Sequence, residues 1–122
     1  MDKIEYINEM INSKSYEEFH DNTYKYILYR LALPSETKEK SIYYLVLYSV
    51  RIKMPNEDIR TLESRLSTVD CHQTSYIVSK KTLLMMEIEK ILNVSIDLDD
   101  LDKCDNFEYY AKSLWGKLNE KN

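Results

Sequence analysis

A cysteine beside a histidine, Cys71-His72, is the most obvious pair in this chain for covalent chemistry, because an imidazolium can hold a nearby thiol as its nucleophilic thiolate. Neighbours on a chain seldom point together, and no third group is placed to orient the imidazole, so the pair does not make a catalytic centre. His20, His72, Cys71 and Cys104 lack the paired spacing of a zinc site, and an isolated cysteine is ordinarily a buried thiol. Two cysteines are too few for a disulfide framework, so both are expected reduced. The remaining chemistry-bearing feature is acidic: Asp97, Asp99, Asp100, Asp102 and Asp105 crowd one short segment. Such a cluster either steers a basic partner into orientation or serves as a solvated face.

Composition narrows the function further. At 122 residues, 43% hydrophobic and 31% charged, the chain fits one folded domain rather than a disordered tail. One glycine, Gly116, leaves almost nothing to supply positive φ, which argues against a phosphate-cradling loop, a dinucleotide fold and most all-β folds. A net charge of −4 with no long basic block argues against nucleic acid as a partner. The opening "MDKIEYINEM" mixes acids with apolar residues, unlike a signal or transit peptide, and no stretch is long enough to span a bilayer, so the expectation is a cytoplasmic protein with no membrane partner.

The elements that must position these residues read as helices throughout. Ile4, Ile7 and Ile11 form a one-sided stripe behind a capping box at Asp2 and Glu5. Ser15 and Glu18 repeat that start signal before a second helix, which carries Phe19, Ile27 and Leu31, reaches about Leu33 and stops at Pro34. A third helix is expected from near Ser35 through "SIYYLVLYSVRI", broken by Pro55; a short helix follows over 59–66, and "STVDCHQTS" reads as a loop. The next helix turns Leu84, Ile88, Ile91 and Leu92 inward, Ile96, Leu98 and Leu101 anchor a short turn, and a last helix from about Asn106 carries Phe107, Tyr110, Ala111, Leu114 and Leu118. Trp115 reads as a packing anchor for that helix, and most of the eleven tyrosines as core edge.

The run "MMEIEKILNVSIDLDDL", followed by "NFEYYAKSL" and preceded by "MPNEDI", resembles the acyl carrier protein family over residues 35–118. The stretch "CHQTSYIVSKKTLLMMEIEK" looks more narrowly like a divergent carrier-related group of bacterial peptide maturation systems, the kind that modify bacteriocin-like precursors. The resemblance implies an all-α, acyl-carrier-like helical bundle over residues 35–122 with two extra N-terminal helices in residues 1–34, the whole being one compact unit. It also implies a phosphopantetheine arm, since carriers attach one to the Ser of an Asp-Ser-Leu motif, where a helix N-terminus offers free amides and a positive dipole to the phosphodiester. Counted back from Ile88 without gaps, that serine falls on Val78. Ser75 is the better chemical candidate but lies nearly a turn early, between Thr74 and Tyr76; Ser79 is one residue late and precedes Lys80.

The function implied is a non-enzymatic carrier or adaptor, serving peptide-modifying or carrier-recognising enzymes. Partners would read Tyr76, Lys80, Lys81 and Met85 on the helix Tyr76–Leu92, together with Asp97, Asp99 and Asp100 beyond it. The rival reading is a helical interaction or regulatory module with no prosthetic group, whose N-terminal helices form a dimer.

Overall fold

The computed structural model describes residues 1–53 and 76–120, and all regular structure there is helical. Five α-helices are described: α1 Lys3–Ile11, α2 Tyr16–Leu31, α3 Ile42–Lys53, α4 Tyr76–Leu92 and α5 Phe107–Glu120. Two single 3-10 turns, Leu98–Asp100 and Lys103–Asp105, lie between α4 and α5 where the sequence suggests one short turn. Pro55, the helix expected over 59–66, the loop "STVDCHQTS", Cys71, His72 and Ser75 lie outside the described residues. None of the described helices is long and apolar enough to cross a membrane.

The first two helices begin where their local caps dictate. Asp2 Oδ1 accepts the Glu5 N–H at 3.0 Å, and Ser15 Oγ accepts that of Glu18 at 3.2 Å, each satisfying a donor that the first turn leaves unpaired. The stripe of α1 differs from the reading of its isoleucines. Ile4 and Ile11 are exposed, whereas Met10 is buried and Tyr6 and Ile7 pack partly against the core. The reason is the neighbour: α1 lies on α2, and the Tyr6 ring stacks on Tyr29 at 4.6 Å, which turns the face through residues 6, 7 and 10 inward.

Helix α2 runs through the middle of the bundle, packing on α1, α3 and α5. Its residues Phe19, Thr23, Tyr26, Ile27, Leu28 and Leu31 are buried. The same core continues into Ile42, Leu45, Val46, Leu47 and Val50 of α3, Ile77, Leu84 and Ile88 of α4, and Phe107, Tyr110, Ala111 and Leu114 of α5. The core therefore runs through residues on both sides of position 34. Tyr26 and Tyr110 are entirely within it rather than at its edge. Trp115 packs on Phe19, ring centroids 5.3 Å apart, and so anchors α5 to α2.

Helix α2 ends at Leu31, two residues before the expected stop, because Ala32 takes the left-handed conformation at φ 55° and lets the Leu33 N–H reach back to the Leu28 carbonyl at 2.9 Å. Asn93, at φ 56°, closes α4 in the same way, with the Val94 N–H on the Glu89 carbonyl at 3.0 Å. Asparagine tolerates this conformation, whereas alanine bears a steric cost in it. Ala32→Gly should therefore raise stability by about 1 kcal/mol, read as a higher urea midpoint at unchanged slope.

The third helix is the main departure. It starts at Ile42, not near Ser35, and the seven residues before it are irregular. Three long-range contacts hold them so. The Lys40 carbonyl accepts the Phe107 N–H at 2.7 Å, Ser41 bridges to Asn106, and Tyr24 donates its hydroxyl to the Glu39 carbonyl at 2.7 Å. The start itself is capped from a distance: Asp105 accepts the Tyr43 N–H at 2.9 Å and the Ser41 hydroxyl at 2.7 Å. Helix propensity in residues 35–41 loses to these tertiary bonds. Ser49 then ties α3 to the end of α2, its hydroxyl on the Leu31 carbonyl at 2.7 Å.

Candidate interaction face

Helix α4 positions most of the residues that the sequence singles out. Ile77, Leu84, Met85, Ile88 and Leu92 recur at helical spacing and fix its inner side. Met85, only 6% exposed, belongs to that side, which corrects its assignment to partner binding; its carbonyl accepts the Tyr110 hydroxyl at 3.1 Å from α5. The adjacent Met86 is the one turned outward, at 59% exposure. Leu83 at 66% and Tyr76 at 52% join it, and Ser79 and Lys90 lie on the same side of the helix. Large apolar side chains on an outward helix face are what an interaction surface consists of.

The rest of α4 is fastened to its neighbours by charge. Lys81, expected to meet partners, is taken instead by Asp105, Nζ to Oδ1 at 2.8 Å, with only 19% of its side chain exposed. Asp105 is thereby withdrawn from the acidic surface. Burial opposes its ionisation, but the bonds from Lys81, Ser41 and the Tyr43 amide prevail and hold it below the usual carboxylate range. Asp100 accepts the Tyr109 hydroxyl at 3.1 Å; Asp97, 3.4 Å from Lys117 Nζ but still exposed, stands with Asp99 and Asp102 as the exposed acids of this turn. Leu101, expected as an anchor, is exposed; the expected anchor Ile96 is buried, the side chain of Leu98 lies outside those described, and Cys104 is buried, which pushes its thiol up.

Glu87 joins α4 to α2. Arg30 grips it with Nε at 2.8 Å and Nη2 at 3.0 Å, the Tyr26 hydroxyl donates at 2.9 Å, and Lys3 lies 3.5 Å away. Burial raises its carboxyl pKa, but these donors overcome that and keep it below the usual range, while burial and the carboxylate push Tyr26 far up. A depressed carboxyl contributes stability above its unfolded pKa and loses it as pH falls through the folded value. Glu87→Gln should therefore be less stable than the parent by about 1–2 kcal/mol at pH 7, less than a fully buried pair because water screens the half-exposed Arg30. Urea midpoints measured from pH 7 to pH 3 should show the gap closing below about pH 4.5.

His20 sits between Phe107 and Tyr16, ring centroids 5.0 and 5.9 Å away. Its Nδ1 is 3.0 Å from Asp21, and its Nε2 is 3.0 Å from Glu108 but off the ring N–H direction. It packs α2 on α5. A groove of about 740 Å³ opens nearby, between α1, α2 and the turn after α2, walled by Tyr6, Tyr24 and Tyr29. Asp21, Lys25, His20 and Met1 also line it.

Three residues assigned from the sequence remain at the outward side of α4. Tyr76 opens the helix, and Lys80 lies over its ring, 5.9 Å from the centroid. Ser79 is half-buried one turn in. The sequence reasoning missed Glu87, Leu83 and Met86. The alternation of inward Leu84 and Met85 with outward Leu83 and Met86 is visible only once the helical phase is fixed. No family model, no curated protein and no solved structure matches the chain.

Proposed function

We propose that the chain is a non-enzymatic, carrier-related adaptor of a bacterial peptide maturation pathway, meeting its partner enzymes through the outward face of α4. The observation that carries this is the exposure of Tyr76, Leu83 and Met86 on one helix that is otherwise locked into the core. Ser75, just before the helix, and Ser79, within its first turn, are the attachment points for a phosphopantetheine arm. A flexible arm rooted at Ser79 would leave the same side of the molecule as the apolar residues.

Two measurements test the reading. Intact mass after incubation with coenzyme A and a promiscuous phosphopantetheinyl transferase should rise by one phosphopantetheine, and the gain should vanish in Ser75→Ala or in Ser79→Ala alone. No gain narrows the function to an adaptor without the arm. A photo-crosslinking residue placed at Leu83 should then give protein adducts in the producing cell, whereas the same group at Asn119 should not; adducts from neither position overturn the docking face.

A regulatory module whose N-terminal helices form a dimer is favoured by one other observation, the exposure of Ile4 and Ile11 on α1. Sedimentation equilibrium separates the two: the regulatory reading expects a dimer that Ile4→Glu dissociates, and the adaptor reading a monomer.

A further inference from the structure

The distribution of charge around α4 specifies what could cover it. Among the described residues, Arg30 is held by Glu87 and Lys81 by Asp105. Lys80 is different. It feels the like charge of Lys53, at the end of α3, and neither lysine forms an ion pair with a carboxylate among the described residues. Burial first, and then the like charge of Lys53, push Lys80 below the usual lysine range. At the other end of the stripe Lys90 is exposed and likewise without such a carboxylate. Between these cations lie Leu83 and Met86. A cleft of about 240 Å³ opens beside them, lined by Leu31, Leu83 and Leu84, by Lys80, and by the Arg30–Glu87 ion pair, whose two charges offset each other, and it is large enough for one bulky apolar side chain.

We infer that this face takes an amphipathic helix of a partner protein, with an apolar anchor in the cleft and carboxylates set to meet Lys53 and Lys80 at one end and Lys90 at the other. The inference rests on the reading of α4 as a docking face and adds the chemistry of what docks. Lys80 and Lys90 are ten residues apart on one helix, about 15 Å at 1.5 Å per residue, so the acids of the partner are spaced by about three helical turns. Between them its apolar residues recur at i, i+3, i+4 and i+7, the pattern of a helix laid in a groove. A partner carboxylate set between Lys53 and Lys80 offsets the repulsion of these two cations, so charge here selects the partner as well as attracting it.

The test uses the whole chain, isotope-labelled, and three synthetic helical peptides that share one apolar stripe and carry Glu, Gln or Lys at the two flanking positions. The Glu peptide should bind saturably and shift the amides of Ser79, Leu83, Met86 and Lys90. The Gln peptide should bind about tenfold more weakly, as loss of a charge-assisted contact implies. The double variant Lys53→Glu with Lys80→Glu should prefer the Lys peptide; Lys53 is exposed and Lys80 half-buried, and circular dichroism checks that the fold is kept. If the Gln peptide binds this face as tightly as the Glu peptide, or the Lys peptide binds it more tightly, the acidic partner is overturned and the docking face stands. If the Glu peptide binds elsewhere on the chain, the inference is overturned as well. If no peptide moves the α4 amides, the docking face falls and the inference falls with it.

Discussion

Replacing Asp105 by alanine should lower the stability of the chain by about 2–4 kcal/mol, the loss of a helix cap combined with an uncompensated, largely buried lysine. One carboxylate here serves three elements. It caps α3 through the Tyr43 amide, receives the Ser41 hydroxyl and neutralises Lys81 on α4. Asp105→Asn keeps an oxygen for the Tyr43 amide but loses the charge, so it should cost about half as much. Thermal unfolding should show a fall of about 10 °C for the alanine variant and a smaller one for asparagine. Equal losses would mean that the Lys81 pair alone matters. No loss in either would remove Asp105 from the account of why α3 begins at Ile42.

Tyr110→Ala should be more damaging still, by about 3–5 kcal/mol, because it empties a fully buried aromatic site at the junction of α4 and α5. That approaches the whole stability of a domain of this size, so a large unfolded fraction at 37 °C is the expected result. Tyr110→Phe separates ring from hydroxyl. The hydroxyl donates to the Met85 carbonyl at 3.1 Å and lies 3.3 Å from Glu89, which in turn accepts the Ile96 amide at 3.0 Å and so pins the turn after α4. Phenylalanine keeps the packing and loses those bonds, and should cost about 1–2 kcal/mol. Amide exchange should quicken around Ile96 in this variant before the core of α2 is affected.

What could be read from the chain alone divides by distance along it. Asp2 and Ser15 announce their helices because the donors they accept lie three residues on, and the spacing of Leu84, Ile88 and Leu92 gives α4 its bounds and inner side. The last helix is legible for the same reason, through Phe107, Tyr110, Ala111 and Leu114. The start of α3 was not, since its cap comes from Asp105, 62 residues further on than Tyr43. Glu87 gave no signal either: its partners Tyr26 and Arg30 are 61 and 57 residues away. Of the interaction face, Tyr76 and Lys80 were named through the resemblance to carrier proteins, not from a local signal. Met85 was chosen over Met86 because two adjacent methionines look alike until one of them is seen beneath Tyr110. Lys81 was taken for a free cation because its counter-ion belongs to a segment that reads as acidic surface.

The contact of residues 40 and 41 with 106 and 107 also orders events during synthesis. The pair α1 and α2 carries its own caps and can form as soon as it is made. Helix α3 cannot: Ser41 Oγ accepts the Tyr44 amide at 3.3 Å, but the Tyr43 amide waits for Asp105, and the largely apolar surface of the helix lacks most of its cover until α4 and α5 follow. Some 60 residues must leave the ribosome between Ile42 and the carboxylate that starts its helix. Over that interval "IYYLVLYSV" is the segment on which a chaperone would act, and closure of the chain at Asn106 is the event that ends its exposure.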